Sequence, residues 1–237
     1  GTGYVGLPLA IMLARANYKV IGVDIDKNVV RAINNGELHI KEENLDKILK
    51  EPDVRKNLKA QEYPCEGDIF VIAVQTPLHK RKKTADLTYV EDALFSILPF
   101  LKKGNLIIIE STIPPLTCKE LVAPLIEINT KMKVGKDIYL AHCPERILPG
   151  DIFQEIVNND RIIGGVNEKS SDLAAEMYSS FVKGKLYKTD NVIAETCKLM
   201  ENTYRDVNIA LANELSLVSD ILGINVNAAI NLANKHP

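Results

Sequence analysis

The chain opens with the stretch Gly1-Thr2-Gly3-Tyr4-Val5-Gly6, and an amphipathic helical pattern over residues 7–17 follows it directly. Glycines in this G-x-G-x-x-G spacing form a tight turn, admit a pyrophosphate against bare backbone and let the helix pack closely on a strand. The phosphate then lies at the helix N-terminus, where free N–H groups favour negative charge. The stretch predicts a dinucleotide-binding unit, with candidate cofactor contacts at Gly1, Gly3, Tyr4, Val5 and Gly6.

The segment after this helix carries the second part of a dinucleotide fingerprint. A β-branched run over residues 19–24 predicts a strand that ends in Asp24. A carboxylate there can accept hydrogen bonds from both ribose hydroxyls of an adenosine, which favours NAD over NADP. Lys27 follows, and it either reaches the adenosine or is an ordinary surface lysine of the next helix. The strand expected before Gly1 is missing, so we expect a truncated sheet in a piece of a longer protein.

Short β-branched runs alternate with amphipathic segments through most of the chain. Strands are predicted at residues 19–24, 69–74, 106–110, 138–141 and 161–164. Helices are predicted at residues 7–17, 27–34, 89–100, 118–129 and 170–179. This alternation is typical of βαβ units, and it predicts an α/β fold with a Rossmann-like, doubly wound parallel sheet and helices on both faces.

The end of the chain has a different pattern. Residues 191–222 contain no Gly or Pro, polar residues precede them and Gly223 follows. These start and stop signals predict one helix of about 30 residues, with a second helix beginning near Val226. Apolar positions spread over more than one face of the long helix, so we expect it to pack on a partner. We divide the chain into a Rossmann-like domain over residues 1–188 and the beginning of a second domain over residues 189–237.

Composition excludes several classes of protein. The 237 residues are 46% hydrophobic and 25% charged, which excludes disordered, collagen-like and coiled-coil chains. Lys and Arg number 29 against 31 Asp and Glu, so no basic surplus indicates a nucleic-acid or membrane-surface partner. The apolar runs are too short for a bilayer span. Four cysteines without repeating spacing indicate reduced thiols of a cytoplasmic protein, and we assign no metal site.

Further motifs follow the glycine turn in order along the chain. They are Gly22-Val23-Asp24, Val74-Gln75-Thr76-Pro77, Glu110-Ser111-Thr112-Ile113-Pro114, Cys143-Pro144-Glu145-Arg146 and Glu195-Thr196-Cys197-Lys198-x-x-x-Asn202. Together with Gly3-Tyr4-Val5-Gly6-Leu7-Pro8 they resemble the nucleotide-sugar dehydrogenases, the UDP-glucose/UDP-N-acetylmannosamine 6-dehydrogenase family, over essentially the whole chain. The resemblance implies an NAD-dependent, four-electron oxidation of a UDP-sugar C6 alcohol to a carboxylate. In that family a cysteine captures the intermediate aldehyde, a thioester forms and water hydrolyses it, and the long helix forms the core of a homodimer.

The resemblance also implies roles for individual residues. Lys198 and Asn202 share one face of the long helix and stabilise an alkoxide or oxyanion, although the same spacing without the family motifs would indicate a surface pair. Glu145 is the general base that activates water for thioester hydrolysis. Thr112 holds that water or faces the nicotinamide, and Thr76 contacts the cofactor. The implied substrate contacts are Glu145, Arg146, Leu148, Lys198, Asn202 and Arg205.

Two features depart from the common family pattern. The family's nucleophilic cysteine lies in a Gly-x-Cys segment beyond the long helix, and no such segment occurs in this sequence. Cys65, Cys118, Cys143 and Cys197 occupy other positions, so we expect the nucleophile and a C-terminal UDP-sugar domain outside this chain, and no catalysis by the chain alone. The other departure is the run from Arg146 to Gly150, which resembles the branch acting on UDP-N-acetylhexosamines, with UDP-N-acetyl-D-mannosamine favoured over UDP-glucose and UDP-N-acetylglucosamine.

Two other functions are compatible with parts of this sequence. A β-hydroxyacid dehydrogenase also places a lysine and an asparagine on a long helix and needs no cysteine. The Pro144-Glu145 and Thr112 motifs speak against it, because that chemistry does not require them. A non-enzymatic nucleotide-binding module is the other rival, since a fold alone does not establish catalysis.

Overall fold

The computed structural model describes residues 1–42, 45–79, 81–147 and 150–236. The chain divides into two compact units, Gly1–Thr196 and Cys197–Pro237. No helix among the described residues is both long and apolar enough to span a membrane. The two units are described separately below.

Helices and strands alternate through most of the chain. The helices are α1 Gly6–Arg15, α2 Lys27–Asn35, α3 Leu45–Leu49, α4 Pro52–Asn57, α5 Thr88–Ile97, α6 Ala123–Thr130, α7 Ile152–Asn158, α8 Glu168–Ser179, α9 Asn191–Leu222 and α10 Val226–Ala233. The strands are β1 Val20–Val23, β2 Leu58–Gln61, β3 Ile69–Ile72, β4 Leu106–Ile109, β5 Tyr139–His142, β6 Arg161–Gly165 and β7 Leu186–Asp190. All five predicted strands and the long helix are confirmed. The α/β class is confirmed as well.

The strands form two sheets, and one pairing differs from the predicted parallel arrangement. β1 and β2 form a parallel pair, and the larger sheet has the order β3-β4-β5-β6-β7. Its neighbours are parallel except for β5 and β6, which run antiparallel with His142 opposite Gly164. Because β6 is reversed, its first residue, Arg161, lies beyond the carboxyl end of β5. A charged residue at the start of an apolar strand is thereby brought to the edge where open α/β sheets bind ligands.

Several short elements were not predicted from the sequence, namely β2, β7, α3, α4 and α7. β2 has the sequence Leu-Lys-Ala-Gln, which lacks the β-branched residues that mark a strand. It forms because tertiary contacts supply its hydrogen bonds. β1 pairs with one edge of β2, and the Asn34 side chain bonds the Ala60 N–H and C=O at 2.9 and 2.8 Å.

The larger sheet is buried on both faces around β4. Ile107 and Ile109 pack in one apolar cluster with α5, while Leu106 and Ile108 pack in another with α1 and α8. This period of two places successive side chains on opposite faces of the sheet. Glu110 follows directly and is 2% exposed. The strand thus carries a carboxyl group into the protein interior at the carboxyl edge of the sheet.

Candidate active site

The first turn of the chain approaches the end of β3 so closely that side chains are excluded from it. A Cβ at Gly1 would lie 2.6 Å from the Ala73 carbonyl oxygen, and a Cβ at Gly6 would lie 2.0 Å from the Gly1 oxygen. A Cβ at Gly3 would have no described atom within 4 Å. The turn is therefore tightly packed at Gly1 and Gly6 and open at Gly3, which fits the approach of a pyrophosphate to bare backbone.

Asp24 lies just past β1, beside this turn. Its Oδ2 accepts hydrogen bonds from the Thr2 N–H at 2.9 Å and the Thr2 hydroxyl at 3.0 Å, and its Oδ1 accepts one from the Asp26 N–H at 3.1 Å. Burial acts to raise the pKa of Asp24, but these hydrogen bonds outweigh it and hold the pKa below its ordinary value. An ionised, half-buried carboxylate at this place fits the ribose hydroxyls of NAD.

The other predicted cofactor residues around the turn differ in exposure. Tyr4 is exposed and Val5 is half-buried. The Lys27 side chain is on the surface, where its ammonium lies 3.6 Å from the Glu62 carboxylate. This ion pair agrees with the surface-lysine interpretation of Lys27, and a contact with the adenosine stays a prediction.

The loops after β3 and β4 are tied together at the same edge of the sheet. The Thr76 hydroxyl donates a hydrogen bond to the Thr112 carbonyl at 2.7 Å. The Ser111 hydroxyl donates to the Val74 carbonyl at 2.7 Å and accepts from the Val74 N–H at 2.9 Å. The structure therefore brings Thr76 and Thr112, predicted from separate motifs, to one place.

Glu195, in the first turns of α9, anchors the continuation of the Thr112 loop. Its carboxylate accepts hydrogen bonds from the Leu116 N–H at 2.6 Å and the Cys118 N–H at 2.9 Å. Leu116 has a positive φ of 73°, an unfavourable conformation for a residue with a side chain. The buried carboxylate compensates by satisfying backbone donors that precede α6. Glu195 belongs to one of the family motifs, but its contact with this loop was not predicted from the sequence.

Four buried polar side chains from four parts of the fold meet beyond the ends of β4 and β5. This group, the Arg161 cluster, consists of Glu110, Glu145, Arg161 and Tyr178. One Arg161 nitrogen donates to Glu145 Oε2, and another donates to Glu110 Oε1 at 3.3 Å. The Tyr178 hydroxyl donates to the same Glu110 oxygen at 2.6 Å, and its ring lies 4.6 Å from the guanidinium carbon. Glu145, the predicted general base, is 8% exposed.

The environment of the Arg161 cluster shifts the pKa of several of its groups. Burial raises the pKa of Glu110 to about 7, against the opposing effect of Arg161 and with a further rise from the charge of Glu145. Burial acts to lower the pKa of Arg161, but the two carboxylates more than compensate, so the guanidinium is a permanent cation. Burial and the neighbouring Glu110 raise the pKa of Tyr178, which stays a neutral donor.

The remaining predicted substrate residues lie in two places. The Arg146 N–H donates to Glu145 Oε1 at 2.7 Å, and its guanidinium donates to the Asp160 carbonyl at 3.1 Å. Leu148 lies outside the described residues. In the second unit, Lys198 and Asn202 are one turn apart on α9, and Arg205 is exposed on the same helix. Substrate contact by these residues stays a prediction.

The four cysteines are free thiols, and two of them are buried. Burial raises the pKa of Cys118, and the charge of Glu195 adds to the effect. Burial and the charge of Glu110 raise the pKa of Cys143. A thiol that keeps its proton is a poor nucleophile, so the environment of these two cysteines does not favour covalent catalysis.

Glu110, Arg161 and Tyr178 were not predicted as site residues from the sequence. The available signals were weak, because Arg161 is only a charge at the beginning of an apolar strand and Glu110 a charge at the end of one. Their meeting depends on the reversed direction of β6 and on the packing of α8. Neither feature is visible in a local sequence pattern.

We predict that Gly3→Ala and Gly6→Ala have different effects on the full-length protein. Gly6→Ala lowers the melting temperature because its methyl group overlaps the Gly1 carbonyl. Gly3→Ala leaves the melting temperature near that of wild type but weakens NAD binding by about tenfold or more, because the methyl group occupies the approach of the pyrophosphate. Thermal denaturation and calorimetric NAD titration measure both effects. Gly67→Ala, whose nearest contacts would be at 3.9 Å, is the control, and unchanged NAD affinity of Gly3→Ala would contradict the prediction.

A second prediction follows from the raised pKa of Glu110. A carboxyl group whose pKa is higher in the folded state favours folding while it is protonated, so its contribution is complete below about 4.5 and is lost as pH rises through about 7. Gln imitates the protonated form. The melting temperature of Glu110→Gln minus that of wild type should therefore increase over this pH interval, as measured by calorimetry of the full-length protein. The control is Glu66→Gln at an exposed site, and a pH-independent difference for Glu110→Gln would refute the assignment.

Comparisons with known proteins show the family to which the chain belongs. The NAD binding domain of the UDP-glucose/GDP-mannose dehydrogenase family matches residues 1–182, and the central domain of that family matches residues 192–237. A UDP-N-acetyl-D-mannosamine dehydrogenase of Methanococcus maripaludis is 52% identical over 240 residues, which cover 100% of this chain and 54% of the relative. An NDP-N-acetyl-D-galactosaminuronic acid dehydrogenase of Ralstonia nicotianae is 44% identical, with 100% of this chain and 57% of the relative covered.

A solved structure of a related protein is also similar to this chain. The UDP-N-acetyl-mannosamine dehydrogenase of Staphylococcus aureus has a TM-score of 0.92 and 49% sequence identity, covering 100% of this chain and 57% of that one. The chain thus spans about half the length of the curated relatives it matches. On these matches, and with the glycine turn and Asp24 arranged for a dinucleotide, the chain belongs to the UDP-glucose/GDP-mannose dehydrogenase family and carries its NAD-binding domain.

Proposed function

We propose that this chain is the NAD-binding part, with the beginning of the central domain, of a nucleotide-sugar 6-dehydrogenase. The favoured substrate is UDP-N-acetyl-D-mannosamine, which the enzyme oxidises at C6 to the uronate in the cytoplasm. The dehydrogenase names of the most similar relatives support the substrate class. The observation that carries the proposal is a buried carboxylate, Glu145, held by a buried cation at the carboxyl edge of the NAD-binding fold. In domain terms we propose residues 1–188 for cofactor binding and residues 189–237 for the central part.

The residues of the glycine turn would hold NAD, which supplies the hydride acceptor for the sugar carbon. The bare backbone at Gly3 would receive the pyrophosphate, and the Asp24 carboxylate would accept hydrogen bonds from the adenosine ribose. Thr76 and Thr112, on loops after β3 and β4 that a hydrogen bond joins, would contact the nicotinamide end. Tying these loops together reduces the conformational freedom that would otherwise be lost on binding.

Glu145 acts as the general base for hydrolysis of the thioester. Hydrogen bonds from Arg161 and from the Arg146 N–H hold both of its oxygens, so its carboxylate has a defined orientation. Lys198 and Asn202 present a cation and an amide from one side of α9, which suits the stabilisation of a developing alkoxide or oxyanion. We assign the nucleophile to a cysteine outside this chain, and the buried Cys118 and Cys143 are consistent with that assignment.

The function is tested with the full-length protein, NAD and a panel of nucleotide sugars. We expect NADH formation with UDP-N-acetyl-D-mannosamine, with two NADH per sugar oxidised. Glu145→Gln should lower kcat by about 100-fold or more because the proton acceptor is lost, while the Kd for NAD stays unchanged. Glu66→Gln, at an exposed carboxylate, is the matched control.

Other results of this assay would support a different substrate or a different class of protein. Faster turnover of UDP-glucose, UDP-N-acetylglucosamine or a galactosaminuronate precursor would change the substrate. One NADH per molecule of a β-hydroxyacid would support that class of dehydrogenase. NAD binding without oxidation of any of these compounds would favour a nucleotide-binding module.

We also propose that the protein forms a homodimer through α9. In the second unit, an apolar stripe with spacings of three or four residues is exposed along this helix: Tyr204, Val207, Leu211, Leu215, Val218 and Leu222. A continuous apolar helix face of this length is typical of a partner contact. We propose that a second copy of this chain covers the stripe, because the resemblance implies a homodimer with the long helix at its core.

If α9 forms the dimer interface, a charged side chain on its apolar stripe should prevent dimerisation. Leu211→Glu should convert the full-length protein to a monomer, because a buried interface cannot accommodate an unpaired carboxylate. Sedimentation velocity measures the change in mass. Asn129→Glu, at an exposed position of α6 in the first unit, is the control and should remain dimeric. A wild-type monomer at micromolar concentration would contradict the proposal.

A further inference from the structure

The position of Glu145 depends on a residue from another strand. Glu145 belongs to the loop after β5, and a loop residue has no sheet hydrogen bonds to orient its side chain. The antiparallel direction of β6 places Arg161 directly beyond the end of β5, and its guanidinium donates to Glu145 Oε2. Arg161 is 3% exposed, so water screens this ion pair little.

Arg161 is itself held by two other groups. Glu110 Oε1 accepts hydrogen bonds from both Arg161 and Tyr178, and the Tyr178 ring stacks against the guanidinium. Glu110 Oε2 is buried and has no hydrogen-bond partner among the described residues. A proton on Oε2 would leave Oε1 able to accept both bonds. Arg161 then donates its other hydrogen bond to Glu145.

Other titratable groups face the cluster from β5 and α8 and from the loop after β5. Cys143 is buried beside the Arg161 cluster, directly after β5, and the raised pKa of its thiol keeps the side chain neutral. The raised pKa of Tyr178, on α8, does the same for its hydroxyl. The Arg146 guanidinium donates a hydrogen bond to the Asp160 carbonyl. His142, on β5, has Nδ1 at 2.9 Å from the Ile109 carbonyl.

We propose that Arg161 is a positioning residue, whose guanidinium holds the Glu145 carboxylate at the carboxyl edge of the sheet while Glu110 and Tyr178 hold the guanidinium. This inference rests on the proposed function for its catalytic consequence. Its structural content, that Arg161 pairs with the Glu145 side chain and orients it, does not depend on which nucleotide sugar is oxidised. The tests therefore include one measurement without substrate.

The first test is infrared spectroscopy of the full-length protein as a function of pH. Without the cation, a buried carboxylate holds its proton to higher pH. Glu110→Gln serves as the background, because the raised pKa of Glu110 would give a protonated band of its own. In Glu110→Gln/Arg161→Met we expect a protonated carboxyl band that persists at neutral pH and is lost when Glu145→Gln is added. Glu110→Gln/Arg161→Lys, which keeps the charge, should not show the band. Its absence from Glu110→Gln/Arg161→Met would overturn the proposal.

The second test is the pH dependence of turnover with UDP-N-acetyl-D-mannosamine. Arg161→Met should lower kcat at pH 7 by about 10- to 100-fold and shift the acidic limb of the profile to higher pH, because the general base is protonated. The KM for the sugar and the Kd for NAD should change by about twofold or less, and Arg161→Lys should restore most of kcat. A wild-type pH profile in Arg161→Met, accompanied only by a lower melting temperature, would show that Arg161 is merely structural.

A variant and a control keep these tests decisive. Removing one partner from a buried ion pair is strongly destabilising, so Arg161→Met can fail to fold. Glu110→Gln/Arg161→Met removes one carboxyl group together with the cation and therefore leaves fewer unpaired charges in the interior. Lys188→Met breaks an exposed ion pair with Asp172 and is the control that should match wild type. If the wild-type protein oxidises no nucleotide sugar, the proposed function fails, while the infrared result still decides the role of Arg161.

Discussion

Two carboxyl groups, Glu110 and Glu145, are buried together at the carboxyl edge of an apolar sheet, and this arrangement requires a buried cation. Charges removed from water are costly unless they are paired and hydrogen-bonded. Arg161 meets both carboxyl groups, and Tyr178 supplies a further hydrogen bond and a ring against the guanidinium. The direction of β6, the packing of α8 and the course of the loop after β5 are all constrained by that meeting.

The cofactor side of the fold depends on a different constraint, the exclusion of side chains. Gly1 and Gly6 lie where any Cβ would overlap a backbone carbonyl, so the turn can close only with bare backbone. A Cβ at Gly3 would meet no described atom within 4 Å, and this space suits a pyrophosphate. The polar contacts of Asp24 with Thr2 and Asp26 then place a carboxylate next to the turn. Steric exclusion shapes one half of the site and charge pairing the other.

Much of this could be predicted from residues close together in the sequence. The glycine turn, Asp24, the five strands and the 32-residue helix Asn191–Leu222 were all recognised from local patterns. Short elements such as β2 were missed, because their stability comes from pairing with β1 and from the Asn34 side chain rather than from their own composition. The contact between Thr76 and Thr112 could have been predicted, since the carboxyl ends of neighbouring parallel strands meet at one edge of a sheet.

By itself, the sequence determined the α/β class, the family and the identity of the dinucleotide turn, because each depends on spacing within a short segment. Only the tertiary structure decided that β6 runs antiparallel to β5 and that Arg161 therefore lies beside Glu145. The two residues come from separate elements, and nothing in either segment records the direction in which β6 enters the sheet. The physical reason is that strand direction depends on the packing of the whole sheet and on the pairing of buried charges between distant segments, and both arise only when the chain has folded.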